Sequence, residues 1–190
     1  MEIVEKLQIN RVIKILIISL VGTLLLTISA KVKIPFYPVP MTMQTFAVLF
    51  IGVAFGAKVG LLTVSLYLFE GMLGLPVFAG SPEKGVGLIY FTGPTMGYLI
   101  GFLFATYVAG SFKYSDIFQS KFLTFFKNYF KLLFAVFFIY LFGLIWLGYF
   151  IGWSKPIFQI GVEPFLLAES FKIIILTIIA GKLNKLRKFI

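Results

Sequence analysis

The chain has neither cysteine nor histidine among its 190 residues. Without thiols there are no disulfides, no thiolate nucleophiles and no thiolate metal sites. Without imidazole the commonest general base and the usual transition-metal ligand are missing, so neither a metal nor a cofactor is expected. Most hydrolase and acyltransferase constellations cannot be built from what is left. No segment fits Gly-x-x-x-x-Gly-Lys-Ser/Thr, Gly-x-Ser-x-Gly or His-Glu-x-x-His. ATP hydrolysis through a phosphate loop is therefore excluded, and enzymatic activity is not expected. Acidic residues are also scarce, seven against seventeen Lys and Arg, which gives a net charge of +10.

What the chain has instead is apolar sequence, 60% of its residues with a mean hydropathy of +1.03. A soluble domain of this size needs far less. The hydrophobic runs recur along the whole length, unlike a signal peptide followed by a soluble body. One membrane domain, residues 1–190, is expected, of the all-α class. Six helices are predicted, at about 13–30, 42–55, 59–75, 92–110, 130–151 and 164–181. The second and third merge in hydropathy and are divided within Gly52–Gly60, where three glycines and Lys58 favour a tight turn.

This layout separates the basic residues. Lys6, Arg11, Lys14, Lys58, Lys113, Lys121, Lys127, Lys131, Lys182, Lys185, Arg187 and Lys188 fall on one side. Only Lys31, Lys33, Lys84 and Lys155 fall on the other, with Lys172 inside. The bias places both termini in the cytoplasm, and Trp146, Tyr149 and Trp153 then form a belt at the outer interface. The basic residues are read as topology determinants, which anionic lipid or a cytoplasmic partner could also use. Nucleic acid is not expected as a partner.

Two charged side chains lie where lipid disfavours them. In a helix beginning at Pro164, Glu169 sits about 8 Å and Lys172 about 12 Å from the start, inside a hydrocarbon core about 30 Å thick. Three residues apart, they share one face. Charges at that depth serve a ligand, an ion or each other. Gln44 is the one Asn or Gln inside any predicted span, and an amide there bonds either another helix or a ligand.

The connections on the outer side have their own chemistry. Pro35, Pro38 and Pro40 make the loop before Gln44 extended and stiff. Its Phe36 and Tyr37 suit either a lid over an apolar ligand or a rigid connector. The second loop, Gly74 to Thr92, is rich in glycine, allows close backbone approach and contains Phe78 and Tyr90. Pro94 is expected in the first turn of the fourth span. Gly93, Gly97 and Gly101 recur every four residues, a stripe for close helix packing, and Thr95 and Tyr98 beside it could face a pocket. Glu70 is read as standing near outer water, because Gly71, Gly74 and Pro76 end its helix early.

The segment Pro35-Phe-Tyr-Pro-Val-Pro-Met-Thr-Met-Gln-Thr45 resembles the first outer loop of the BioY family, the biotin-binding S components of energy-coupling-factor (ECF) vitamin transporters. Gly74-Leu-Pro-Val-Phe-Ala-Gly80 and Gly93-Pro-Thr-Met-Gly-Tyr-Leu-Ile-Gly-Phe102 are similar to its central signature. Trp146, Pro164-Phe165-Leu166 and the acid-x-x-Lys ending complete a likeness that extends from about Ile13 to Gly181. The chain departs from the usual Gly-Asp at Ala168-Glu169. It also has Ser19, Thr23 and Thr27 where S components tend to carry an Ala-x-x-x-Ala partner-facing pattern. The resemblance implies six helices with an outward-facing pocket in the cell membrane of a bacterium or archaeon. It implies capture of biotin and delivery to a membrane coupling subunit and two cytoplasmic ATPases.

Biotin presents two ureido N–H donors, a carbonyl, an apolar ring and an anionic tail. An ionised carboxylate only accepts, so Glu169 is expected to take the ureido N–H groups and Lys172 to donate to a ligand oxygen. Gln44, Thr95 and Tyr98 would complete the polar contacts, and Phe36, Tyr37, Phe78 and Tyr90 would wall the rings. The bare residues also admit an internal Glu169–Lys172 salt bridge that fixes helix packing. They admit an ion-driven secondary transporter with a proton on Glu169 or Glu70. An enzyme acting on lipid is the reading they favour least.

Overall fold

The structure is a computed structural model that describes residues 2–117 and 122–189, with side chains from residue 11 onward. Lys121, counted above among the basic residues of one side, lies outside the described residues. The main helices are α1 (Glu2–Lys31), α2 (Gln44–Met72), α3 (Met96–Ser111), α4 (Leu123–Ile151), the short α5 (Ile157–Gly161) and α6 (Leu166–Asn184). Four helical segments are long and apolar enough to cross a membrane, at Arg11–Lys31, Gln44–Met72, Leu123–Ile151 and Ile157–Phe189, and Met96–Ser111 is a shorter apolar helix.

The division expected between the second and third spans falls at Gly56. Its φ of 82° and ψ of 172° are not helical, so α2 is two arms, residues 44–55 and 57–72. A left-handed φ of this kind suits glycine, which has no Cβ to clash. The break strands carbonyls at the end of the first arm. Arg187 answers them, with Nε 2.9 Å from the Val53 carbonyl and a terminal guanidinium nitrogen 3.1 Å from that of Gly52.

Several features differ from expectation, beginning with α1, expected from about residue 13, which starts at Glu2. α4 begins seven residues before the expected Phe130, because Lys127 and Lys131 are tolerated at a wet helix start; Lys131 Nζ donates to the Lys113 carbonyl at 2.7 Å. Pro94 lies outside α3 rather than in its first turn. Gly93 before it is extended, as the residue preceding proline prefers, after a 3₁₀ turn over Gly87–Thr92. The stiff Pro-rich loop is also not wholly irregular: β1 (Lys33–Ile34) pairs antiparallel with β2 (Met41–Thr42), turning residues 35–40 back over the helix ends.

α2 is the centre of the bundle, packed between α1, α3 and α6, and α3 packs on α4. Gly97 and Gly101 make the α3–α4 approach possible. A Cβ on Gly97 would collide with the Phe142 carbonyl and Trp146, and one on Gly101 with the backbone of Phe138 and Ile139. Gly93, the first member of the expected stripe, takes no part in this contact. In α1, Ser19 and Thr23 are buried and Gly22 faces Thr63. Thr63 Oγ1 lies 3.3 Å from Ser19 Oγ. Ser19 and Thr23 therefore pack inward, in the close helix packing that their spacing suits. The exposed face of α1 carries Leu16, Leu20, Leu24 and Ile28 instead.

Candidate functional site

A cavity opens among the ends of α2, α3, α4 and α6 on the side of the bundle that holds the hairpin and the connections 73–95 and 152–165. Its empty volume, measured out through the open mouth, is about 560 Å³. Val39, Pro40 and Met41 line it from the hairpin loop, and Phe78 and Ala79 from the Gly-rich connection. Leu99, Phe102 and Ile139 form the apolar floor, with Phe165 at one side. Of the residues singled out in the sequence, Gln44, Phe78, Tyr90, Thr95, Tyr98 and Glu169 line this cavity.

Glu169 stands in the first turn of α6, where the helix dipole favours negative charge. It is 6% exposed, as is Lys172 one turn on. Lys172 Nζ is 2.7 Å from Glu169 Oε1. The same ammonium donates to the Thr42 carbonyl at 2.6 Å and to Thr45 Oγ1 at 3.0 Å, so its three donors are all engaged. Thr45 in turn donates to Glu169 Oε1 at 2.9 Å. One carboxylate oxygen is thus saturated, while Oε2 is buried without a hydrogen-bond partner among the described residues. Such an oxygen carries its full desolvation cost unless a donor arrives.

The other polar groups are arranged around it. Gln44 Nε2 donates to the Tyr67 hydroxyl at 2.8 Å, which donates to the Val77 carbonyl at 2.9 Å. The Gln44 amide therefore bonds a neighbouring helical arm and faces the cavity at once. Tyr98 directs its hydroxyl to the Gly161 carbonyl at 3.0 Å. Tyr90 stacks on Phe78 with ring centroids 4.7 Å apart, and its hydroxyl accepts from the Gly80 amide at 3.1 Å. Trp146 Nε1 donates to the Gly93 carbonyl at 2.8 Å, which fixes the turn that presents Thr95.

Three of the expected site residues lie off the cavity lining. Lys172 is one turn away and reaches it through its bonds to three lining residues, Thr42, Thr45 and Glu169. Phe36 is 40% exposed and meets Phe165 edge-on with centroids 6.0 Å apart, while Tyr37 is 92% exposed. Both belong to the turn of the hairpin, which stands clear of the cavity although Val39 and Pro40 reach it. Glu70 is half-buried in the last turn of α2, outside the cavity.

The sequence reading passed over Thr45 and Tyr140. Thr45 follows Gln44 directly, but only the fold brings it to α6. Tyr140 lines the cavity, and its hydroxyl has no hydrogen-bond partner among the described residues. A signal for it existed, since Tyr140 is the one polar side chain between Lys131 and Trp146.

Fold and site together define a multi-pass membrane protein with a preformed, largely apolar cavity and a buried ion pair at its edge. The comparisons with known proteins agree. The chain matches the BioY family over residues 4–189. It is 36% identical over 160 residues to the probable biotin transporter BioY of Pyrococcus horikoshii, covering 84% of this chain and 90% of that one. It is 32% identical over 164 residues to the biotin transporter BioY of Thermotoga maritima, covering 86% and 92%. Among solved structures it is similar to the S-component for biotin from an ECF-type ABC transporter, with a TM-score of 0.69, 28% identity and 93% of each chain covered. The chain belongs to the BioY family, whose members are transporters and not enzymes.

Proposed function

We propose that this protein is the biotin-capturing S component of an ECF-type importer, with the cavity as its substrate site. In this reading the chain crosses six times, counting the arms of α2 separately, and the Lys/Arg bias supports cytoplasmic termini with the cavity open to the outside. The membrane is the cell membrane of a bacterium or archaeon. No cofactor takes part. A membrane coupling subunit and two cytoplasmic ATPases supply the energy, in keeping with a sequence that has no phosphate loop of its own.

The observation that carries this reading is the orphan Oε2 of Glu169 beside an apolar cavity. A ureido N–H satisfies it, and a charge-assisted bond of this kind is about twice as strong as a neutral one. Tyr140 offers a free hydroxyl to the same ligand. Lys172 reaches a ligand oxygen by releasing Thr45 Oγ1, the longest of its three contacts at 3.0 Å. Phe78 and Tyr90 form the ring wall and Thr95 and Gln44 complete the polar rim, while Phe36 and Tyr37 stay on the hairpin turn outside the lining. Mass spectrometry of ligand carried through purification in detergent tests the reading. Biotin should co-purify with the wild type and be absent from Glu169→Gln. A wild-type protein that folds yet retains and rebinds no biotin would exclude it. Uptake in cells without a coupling subunit would point instead to a stand-alone carrier.

A further inference from the structure

Phe78 and Ala79, one wall of the cavity, belong to a connection with neither helix nor strand between α2 and the 3₁₀ turn at Gly87. Its backbone carbonyls need donors from elsewhere. The Tyr67 hydroxyl serves Val77, and the Lys84 amide serves Gly80 at 2.7 Å. Phe78 accepts from the Ser81 amide at 3.2 Å and the Ser81 hydroxyl at 2.9 Å, and Pro82 from the Gly85 amide at 2.9 Å; two lysines supply further donors. Lys31 Nζ donates to the carbonyls of Phe78 at 2.8 Å and Ser81 at 2.7 Å. Lys33 Nζ donates to that of Ala79 at 2.7 Å. Among the described residues the Ala79 and Ser81 carbonyls have no other donor, and both residues are buried.

Neither lysine lines the cavity; each holds the wall from behind. Lys31 is the last residue of α1 and Lys33 the first of β1. The strand pair that Lys33 begins returns through Met41 and Thr42, which form the opposing lining. The two ammonium groups therefore tie one cavity wall to the base of the other. They are also two of the only four basic residues on the sparse side of the membrane, where positive charge opposes the orientation signal. Topology does not explain their presence.

We propose that Lys31 and Lys33 are positioning residues that clamp the 78–81 wall to the hairpin and set how fast a bound ligand escapes. The inference rests on the cavity being the biotin site. Lys31→Met and Lys33→Met keep the side-chain stem and remove the donors. In the full-length protein, each should raise the biotin off-rate by about tenfold, as expected for loss of a charge-assisted bond, and leave the on-rate within about twofold. Hydrogen exchange at the amides of residues 78–81, measured without ligand, should accelerate in both variants, and Lys31→Arg should restore both readouts. Unchanged off-rates and unchanged exchange would overturn the clamp. So would an on-rate and off-rate that change together with a general fall in melting temperature, which marks a purely structural role. If the wild type bound no biotin, the proposed substrate would fall, while the exchange measurement would still decide the clamp.

Discussion

At the scale of single residues, the chemistry of the site turns on one carboxylate with unlike oxygens. Glu169 Oε1 has two donors and Oε2 has none among the described residues. Removing Lys172 leaves a buried charge without its counter-ion, an arrangement that costs about 3–5 kcal/mol. Lys172→Ala should therefore lower both melting temperature and biotin affinity. Glu169→Gln also leaves a buried ammonium without its counter-ion, but an amide oxygen still accepts from Lys172 and Thr45, so melting should fall less while affinity is lost. Calorimetric titration beside a thermal melt separates the two. Tyr140→Phe is cleaner, because its hydroxyl gives up no partner in the free protein. It should weaken biotin binding by about tenfold, the worth of one ligand hydrogen bond, without moving the melting temperature. Equal affinity for wild type and variant would remove Tyr140 from the site.

At the scale of the element, the helices are held by close approach and by borrowed caps. α3 meets α4 through Gly97 and Gly101, a small-residue contact of the kind that drives association in lipid. Gly97→Ala should splay that pair and displace Thr95 and Tyr98, costing about 1–3 kcal/mol as an overpacked contact; a fall in both melting temperature and biotin affinity is the expected record. The break in α2 depends on a side chain from the far end of the chain. Arg187→Ala strips the Val53 and Gly52 carbonyls of their donor, and faster hydrogen exchange confined to the end of the first arm and to residues 185–189 should report it. α1 is the least buried of the long helices, with 28% of its apolar window buried against 33% for α4 and 61% for α2. Its Leu16, Leu20 and Leu24 are exposed, while Lys31 in its last turn bonds the Phe78 and Ser81 carbonyls of the cavity wall.

At the scale of the whole molecule, a ligand that binds only the folded state stabilises it by mass action. Biotin at a hundredfold excess over its Kd should add about 2.7 kcal/mol, which a thermal melt in detergent records as an upward shift of several degrees. No shift would mean that the cavity is not the site. The membrane class, the division of α2 near Gly56 and the close approach of Glu169 and Lys172 on one helix face were all legible from apolar periodicity, from glycine clustering and from helical spacing. Gln44 was legible too, being polar where lipid should be. Other features were not, since they depend on contacts distant in sequence. Thr45 reaches Glu169 across 124 residues, Lys31 reaches Ser81 across 50 and Arg187 reaches Val53 across 134. The neighbour of Ser19 and Thr23 was not legible either, because a helix pattern reveals a small-residue face without saying whether that face meets the same chain or a partner. The sequence alone determined which segments enter the membrane and which side chains are too polar to lie there idle, because transfer into lipid is a property of each residue. Only the tertiary structure decided which oxygen of Glu169 stays open, which hydroxyls face the cavity and which lysines hold its wall, because a hydrogen bond needs both partners within about 3 Å.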